Sequence, residues 1–445
     1  MPGRMPEKHL RDEHRTNEQT IPRRKDIRTA KINFCVFCDF YVRFLIKIKF
    51  FCIFAKTNEV KIAVNTRLLL KDKLEGIGWV ACETLSRIVK AHPNDEFYFL
   101  FDRKPDPKFI FAENVKPIVL FPQARHPFLY IIYFEYSVRR ALRKIKPDVF
   151  VSTDAYLSLG SKTPQIAVFH DINFEHFPQD FPKIALWHYK RYFPKFARKA
   201  VKIITVSEFS KQDIVKNYQV EPEKINVAYN GANEGFKPVS EEEKQEIRNQ
   251  YTTGYQYFMF VGSLHPRKNL ARLFPAYDLF KERTGSDVKL LIVGEKRWWT
   301  EPIQKAYEEM KYQDDVVFVG HLQMTELQRV TAAALASVYV SYFEGFGIPI
   351  IEAYKCDVPV ITSNVTSMPE VAGDAALLVD PFNIESISSA LELVMDENIR
   401  NSLIEKGRIR RNDFSWDKAA IEWWSIIADV ISTEAKRSGE ISKNW

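Results

Sequence analysis

Cysteine is scarce in this chain of 445 residues, which has only five, an odd number. So few thiols provide no disulfide framework and suit a reducing compartment. Cys35 and Cys38 form a C-x-x-C pair. No second pair follows at zinc-site spacing, and no strand-helix context indicates a thioredoxin-like site. The sequence therefore predicts neither a metal centre nor a redox centre.

Most of the chain also lacks an excess of charge. The formal net charge is +7, but residues 1–56 carry 13 Lys/Arg against 6 Asp/Glu, and the remaining residues hold 51 of each sign. A nucleic-acid groove needs Lys/Arg clustered on the folded body, so we expect no nucleic-acid partner. With 46% hydrophobic and 13% aromatic residues, the chain has ample material for buried cores.

No long apolar run is free of charge. Residues 32–54 are long enough to span a bilayer but contain one acid and three basic residues, and each central charge costs about 2.5–3.5 kcal/mol on insertion. The preceding region is too long for a signal peptide, and no small-residue cleavage site follows. Residues 1–56 are therefore either an extension outside the fold or a basic, aromatic segment that attaches peripherally to a membrane.

Internal repeats are absent too, and the chain instead has two series of apolar segments that alternate with helical stretches. This alternation is typical of parallel sheets covered by helices. The first series predicts strands at 60–65, 97–101, 117–121, 148–153, 165–171 and 202–207. The second series predicts strands at 257–262, 288–294, 315–320, 337–341, 359–363 and 375–380.

The two series predict an α/β protein with two doubly wound domains. We expect a first domain at 57–235, a second at 236–413, and a C-terminal helix within 414–445 that packs back across the cleft. Ligands of open parallel sheets bind beyond the carboxyl ends of the strands. The site is therefore expected in the cleft between the two sheets.

The segment EGFGIPIIEA, residues 344–353, places an acid on each side of a Gly-Phe-Gly turn. Pro349 suits the first turn of a helix, whose free N–H groups would then face the cleft and favour a phosphate. Glu352, one turn further in, suits the vicinal hydroxyls of a ribose, and Glu344 would meet the group that a diphosphate carries. The simpler interpretation is a strand, turn and helix with two solvated acids.

Two other stretches strengthen the case for a phosphate site. In FVGSLHPRKNL a strand ends at Gly262, and Arg267 and Lys268 stand at the start of the next helix. Two cations at this point would stabilise a departing diphosphate. In HDINFEHFP, His170 and Asp171 end a strand of the first domain. The alternatives are a pair of surface cations and a structural histidine.

Together these segments resemble the family-4 retaining glycosyltransferases (glycosyl transferases group 1) of GT-B fold. The resemblance rests on GSLHPRKNL, on EGFGIPIIEA with PVITSNVTSMPEVAGDAALLVDP behind it, and on FSWDKAA. The first domain agrees through NTRLLLKDKLEGIGWV, HDINFEHFP and ITVSEFSKQDI. It implies two facing Rossmann-like domains and transfer of a sugar from a nucleoside diphosphate to a hydroxyl. The anomeric configuration would be kept, and neither a metal nor another cofactor would be needed.

The resemblance also implies roles for individual residues. Glu352 would bind the ribose hydroxyls, and Glu344 the donor sugar near its 3-hydroxyl. Arg267 and Lys268 would neutralise the diphosphate, although many members carry the arginine earlier in the loop. His170 would contact the donor sugar from the first domain.

Backbone positions complete the expected site. The further donor-binding residues are Gly78, Gly262, Gly345, Phe346, Gly347 and Ile348. The expected acceptor side comprises Gly76 and Asp171. We expect the acceptor proton to pass to a diphosphate oxygen, so no protein base is assigned.

The donor, acceptor and location follow less directly. RLLL…EGIG and PRKN resemble mannosyltransferase segments, which favours GDP-mannose over UDP-linked sugars. We expect a glycan or lipid-linked acceptor in polysaccharide, lipopolysaccharide or glycolipid biosynthesis, on the cytoplasmic side of the membrane and with peripheral contact. Residues 130–146 are basic and aromatic, which predicts either docking on anionic lipid or a helix with a buried aromatic face and solvated cations.

Two other enzyme classes are weighed as alternatives. Gly76, Gly78 and Ala81, followed by Asp102, resemble the fingerprint of a nicotinamide-dependent oxidoreductase. However, about ten residues separate the first predicted strand from these glycines, whereas the fingerprint follows its strand immediately. A non-hydrolysing sugar-nucleotide epimerase shares the GT-B architecture, but the EGFGIPIIEA and PRKN segments favour transfer.

Overall fold

The computed structural model describes residues 59–71, 74, 76–437 and 439. The C-x-x-C pair and the apolar run at 32–54 lie outside these residues, as does the predicted extension at 1–56. The described part contains two parallel sheets. The exact domain limits at 235 and 413 stay predictions.

The first sheet has seven parallel strands in the order β3-β2-β1-β4-β5-β6-β7. Val64 of β1 lies between Phe99 of β2 and Val151 of β4. The strands are β1 Lys61–Asn65, β2 Glu96–Phe101, β3 Val115–Val119, β4 Val149–Ser152, β5 Gln165–Phe169, β6 Lys202–Thr205 and β7 Ile225–Val227. All six predicted segments are strands. The seventh strand was not predicted, because three residues at a sheet edge give too short a pattern.

The second sheet has six parallel strands in the order β10-β9-β8-β11-β12-β13, and all six were predicted. The strands are β8 Tyr257–Val261, β9 Lys289–Val293, β10 Val316–Gly320, β11 Ala336–Tyr339, β12 Val360–Ser363 and β13 Ala376–Val379. In both sheets the strand that comes first in the sequence, β1 or β8, lies inside the sheet rather than at its edge. The chain therefore changes direction there, as in doubly wound folds.

The helices connect these strands. The first part of the chain contains α1 Gly76–Ala91, α2 Pro127–Ile132, α3 Arg139–Ile145, α4 Asn173–His176, α5 Lys183–Lys199 and α6 Glu208–Tyr218, with a π-helical turn Tyr133–Val138 between α2 and α3. The second part contains α7 Glu241–Thr252, α8 Leu270–Thr284, α9 Glu301–Glu308, α10 Met324–Ala332, α11 Ile348–Lys355, α12 Met368–Ala372, α13 Ile384–Leu393, α14 Glu397–Arg410 and α15 Trp416–Arg437.

Both faces of each sheet are buried. In β1, Ile62 and Val64 belong to one core and Ala63 to another. In β8, Tyr257 and Phe258 likewise enter two different cores. Successive side chains of a strand point to opposite faces, so continuous apolar segments are what a sheet covered on both sides requires.

The last helix, α15, returns to the first sheet. Its side chains Trp416, Trp423 and Ile427 are buried in the core that also contains Ile62 and Val64. The segment 414–432 was predicted as an amphipathic helix that packs back across the cleft, and α15 confirms this. The C-terminal helix is thus part of the first domain's core.

Candidate active site

The predicted site residues follow the carboxyl ends of strands in both sheets. Gly262 follows β8, Glu344 comes shortly after β11, and His170 and Asp171 follow β5. Parallel strands bring such positions together at the same edge of their sheet. The first two belong to the second sheet and the others to the first, so the site is built from both.

Two cations, the buried Lys268 and the half-buried Arg267, form a cluster with the buried carboxylate of Glu344 at the carboxyl ends of the second sheet's strands. Arg267 Nη1 is 2.5 Å from Glu344 Oε2, and Lys268 Nζ is 2.6 Å from Glu344 Oε1. Lys268 Nζ also lies 2.6 Å from the Tyr339 hydroxyl and 4.6 Å from the centre of that ring. Lys268 is 7% exposed and Glu344 6% exposed. The two residues predicted to bind the diphosphate, Arg267 and Lys268, therefore form ion pairs with Glu344 in this structure.

The cations occupy a turn of their own. They were predicted to stand at the start of a helix, but Pro266–Lys268 form a separate 3₁₀ turn, and Asn269 with φ of 68° divides it from α8. The Asn269 side-chain amide donates to the carbonyl oxygens of Val340 and Pro381. This anchored turn directs Lys268 toward Glu344 rather than along the helix, and Gly262 borders the lysine side chain.

The electrostatics of the cluster follow from burial and close charge. Burial alone would raise the pKa of Glu344, but the Arg267 and Lys268 charges outweigh it and hold this pKa at about 2. Burial lowers the pKa of Lys268 to about 8, although Glu344 opposes the shift. Glu344 is thus ionised and Lys268 mostly protonated at neutral pH, which leaves one net positive charge for an anionic ligand.

Glu352 differs from Glu344 in having no partner. It lies on α11, and no other described residue forms a hydrogen bond or ion pair with its carboxylate. Burial raises the pKa of Glu352 to about 7. A half-buried carboxylate without a protein partner has free acceptor capacity. The simpler interpretation of two solvated acids is wrong for Glu344, which is buried and paired.

The turn before α11 approaches the first domain very closely. A Cβ on Gly345 would lie 2.0 Å from the His170 carbonyl oxygen, so only glycine fits there. The Ser207 hydroxyl of the first domain donates to the Gly345 carbonyl oxygen at 2.7 Å. Gly347, with φ of 105°, then starts α11 from the left-handed region that favours glycine. The Gly-Phe-Gly segment is thus a contact between domains as well as a turn.

His170 has a defined tautomer. Its Nε2 lies 2.9 Å from the Thr153 carbonyl oxygen. A carbonyl can only accept, so Nε2 carries the hydrogen and Nδ1 is left as an acceptor. Burial lowers the pKa of His170, which keeps the ring neutral. The neutral ring is suited to accept a hydrogen bond from a sugar hydroxyl.

The remaining predicted residues lie around this centre. Gly78 is buried on α1, where a Cβ would meet the Leu68 carbonyl oxygen at 2.9 Å, whereas Gly76 is open. Ile348 packs against the core that includes Val80 of α1, so the start of α11 lies near that helix.

The side chain of Asp171 accepts from the backbone N–H of Asn173. Asp102, the acid of the oxidoreductase alternative, is held by Arg103 and by the backbone N–H of Ala124. This carboxylate is not free for a ribose.

Several residues that support the site escaped the sequence analysis. Tyr339 contacts Lys268, and Ser367 Oγ donates to the carbonyl oxygens of Glu344 and Phe346. Glu370 accepts from the backbone N–H groups of Glu208 and Phe209, which begin α6 of the first domain. Ser367 and Glu370 lie in the segment PVITSNVTSMPEVAGDAALLVDP, so the resemblance could have drawn attention to them.

Comparisons with known proteins identify the family. The family model described as Glycosyl transferases group 1 matches residues 241–410, and that of Glycosyltransferase Family 4 matches residues 76–235. The chain belongs to these glycosyltransferases. The glycosyltransferase is 29% identical over 369 residues to O-antigen chain mannosyltransferase B of Escherichia coli. The match covers 79% of this chain and 96% of the relative.

A second curated relative and a solved structure are also similar to the glycosyltransferase. It is 28% identical over 300 residues to O-antigen chain mannosyltransferase RfbU of Salmonella typhimurium. This match covers 67% of this chain and 79% of the relative. The crystal structure of Anabaena HepE with UDP-glucose matches 83% of this chain and 100% of its own, with a TM-score of 0.65 at 17% identity. The predicted GT-B fold and family are confirmed.

The described residues include neither a membrane-spanning helix nor a cluster of metal-ligating side chains. No helix among them is both long and apolar enough to cross a bilayer. No group of three or more His, Cys, Asp or Glu side chains among them is placed to hold a metal ion.

Proposed function

We propose that this glycosyltransferase transfers a sugar from a nucleoside diphosphate donor to an acceptor hydroxyl with retention of the anomeric configuration. The observation that carries the proposal is the cluster of Arg267, Lys268 and Glu344. The buried Lys268 and the half-buried Arg267 face one carboxylate, and the unpartnered Glu352 lies eight positions further along the chain, one turn into α11. A sugar nucleotide has a group for each of these: a diphosphate for the two cations, a sugar for Glu344 and a ribose diol for Glu352.

The chemistry follows from where charge develops. When the sugar leaves, the diphosphate gains negative charge, and cations already in place stabilise that charge at little reorganisation cost. Arg267 and Lys268 fill this role, with backbone N–H groups at the start of α11. Glu344 would hold the donor sugar, and neutral His170 would contact it from the first domain. The acceptor proton passes to a diphosphate oxygen.

GDP-mannose is the donor that we favour. Two relatives that the chain matches over two thirds of its length or more carry mannosyltransferase names. UDP-linked sugars are the second choice, because the structurally similar HepE was crystallised with UDP-glucose. Neither choice follows from a base-recognising side chain.

The acceptor is proposed to be a glycan or lipid-linked hydroxyl in polysaccharide, lipopolysaccharide or glycolipid biosynthesis. The names of the two O-antigen relatives support this class. The enzyme would work on the cytoplasmic side of the membrane, in peripheral contact with its inner face.

A ligand screen tests the proposal. Thermal shift and calorimetry would compare the full chain with GDP, UDP, ADP, their sugar conjugates and NAD, since a ligand far above its Kd raises the melting temperature. We expect a selective response to one nucleoside diphosphate, which is lost in Glu352→Ala. A response to NAD alone would overturn the proposal. NMR of the first-formed product would then establish whether the anomeric configuration is kept.

A further inference from the structure

One face of the first domain combines exposed apolar side chains with unpaired cations. The face is formed by the loop before α2, by α2 to α3 and by α5. Six of the seventeen large hydrophobic side chains exposed in the described part lie on it: Phe121, Phe128, Ile132, Tyr136, Ile184 and Trp187. Monomeric proteins rarely expose apolar residues in such a group without a partner. We call these elements the basic aromatic face.

The apolar residues form one surface rather than scattered points. Phe128, Ile132 and Tyr136 follow at intervals of four residues along one side of the helical segment. The rings of Phe128 and Trp187 lie 6.4 Å apart, which joins that segment to α5. Tyr136 is 72% exposed, Phe128 57% and Trp187 50%. The aromatic side of this segment is therefore only partly buried, with Tyr133 and Phe134 inside and Tyr136 outside.

The same face is strongly basic. Residues 125–146 and 183–199 together contain twelve Lys/Arg and a single acid, although the whole of residues 57–445 is neutral. That acid, Glu135, accepts from the backbone N–H groups of Leu159 and Gly160 and so turns inward. Within the described part, Arg125, Arg140, Arg143, Lys144 and Arg191 form no ion pair. The overall neutrality of the body conceals this local concentration.

We propose that the basic aromatic face docks the enzyme on a bilayer surface that contains anionic lipid. Apolar and aromatic side chains enter the boundary between headgroups and acyl chains, while the surrounding cations meet lipid phosphates. A second copy of this face, or residues 1–56 with their excess of Lys/Arg, would bring like charges together. An anionic partner removes that conflict, and the exposed aromatic residues suit a bilayer better than a fully polar polyanion.

The position of the face fits the proposed function. Asp180, just before α5, accepts from the Tyr342 hydroxyl at 2.5 Å, and the Tyr342 backbone N–H donates to the Arg267 carbonyl oxygen. The face therefore begins beside the cleft that holds the cation cluster. A lipid-linked acceptor would reach the cleft without leaving the membrane. Delivery of a lipid-linked acceptor rests on the proposed function, whereas docking of the face on a bilayer does not.

Vesicle sedimentation with the full chain tests the docking. We expect binding to phosphatidylcholine vesicles that contain phosphatidylglycerol and little binding to phosphatidylcholine alone. Each cation near an anionic surface contributes roughly fivefold in partitioning. Arg140→Gln, Arg143→Gln and Lys144→Gln together should therefore weaken binding about 10²-fold.

A second variant separates the two parts of the face. Phe128→Ser with Trp187→Ser should remove the binding that survives at high salt. Matched controls change exposed residues elsewhere: Ile409→Ser with Ile421→Ser for the apolar part, and Lys305→Gln, Lys406→Gln and Lys436→Gln for the charge.

Three outcomes would overturn the docking proposal. In the first, both face variants bind vesicles like the wild type, which would assign membrane contact to another part of the chain, such as residues 1–56. In the second, the wild type does not bind anionic vesicles at all. In the third, the face variants lose binding to an acidic protein or nucleic acid while vesicle binding stays. GDP and UDP binding of the same variants, which should be unchanged, separates a failure of docking from a failure of the donor site.

Discussion

Removing the charge of Glu344 should strengthen the binding of a nucleoside diphosphate while it impairs transfer. In the structure both cations are held by this carboxylate, at 2.5 and 2.6 Å. A diphosphate must draw Arg267 and Lys268 from Glu344 and also approach its negative charge. Charge-assisted hydrogen bonds contribute about 1.5–3 kcal/mol each. In Glu344→Gln we therefore expect at least roughly tenfold tighter binding of GDP or UDP, which corresponds to about 1.4 kcal/mol.

The same substitution should lower stability in the absence of ligand. Breaking a buried ion pair by removing one partner costs about 3–5 kcal/mol, because a buried charge is left uncompensated. The melting temperature should fall and then recover on addition of the nucleoside diphosphate. Isothermal titration calorimetry and thermal unfolding measure both effects. Glu385→Gln is the matched control, since Glu385 pairs with Arg283 on the surface of the same domain. Unchanged or weaker nucleotide binding in a folded Glu344→Gln protein would refute the reasoning.

Four further predictions follow from individual residues. Lys268→Ala should lower turnover about 10²-fold or more by removing stabilisation of the leaving group, and steady-state kinetics that match the wild type would contradict this. Glu352 has a folded pKa of about 7, above its ordinary value of 4.5, so its burial costs stability as pH rises through that window. Glu352→Gln should then raise the stability of the ligand-free protein at pH 8 by up to about 3 kcal/mol, and weaken sugar-nucleotide binding by calorimetry. The imidazole of His188 is buried without a hydrogen-bond partner among the described residues, and burial lowers its pKa to about 4. Its contribution to stability is therefore present above pH 6.5 and is lost as pH falls toward 4, and denaturant titrations should show a smaller loss in His188→Phe. Gly345→Ala should reduce activity strongly, because a Cβ would overlap the His170 carbonyl oxygen, and a wild-type rate would show that the two domains need not meet there.

The strands were predictable because each is a continuous apolar segment bounded by polar or glycine residues. A strand covered on both faces needs no alternation, so length and apolarity were sufficient. β7 was missed for the opposite reason, since Ile225–Val227 has three residues and one neighbour. The helix α15 was predictable from its amphipathic, aromatic pattern. Its packing on the first domain was expected from the proposed two-domain architecture.

The positions of the site residues were predictable, but their partners were not. The strand ends and the resemblance both pointed to Lys268 and Glu344. A linear pattern gives no information on whether these charges face a ligand or each other. Lys268 lies on a 3₁₀ turn that Asn269, in the αL conformation, separates from α8, and the sequence pattern did not predict this break. The same limit applies to the close approach of Gly345 to His170, because the two residues are far apart in the chain and belong to different sheets.

The return of α15 to the first sheet has a consequence for synthesis. Strands β1 to β7 leave the ribosome first, yet the core on one of their faces includes Trp416, Trp423 and Ile427. Until those residues emerge, α1 covers that face of the first sheet only in part, and exposed apolar surface favours association with chaperones or aggregation. The second domain needs no segment from beyond the other domain, because its strands end at Val379 and its cores are complete by Phe414. The domain that is translated first is therefore expected to be the last to complete its fold.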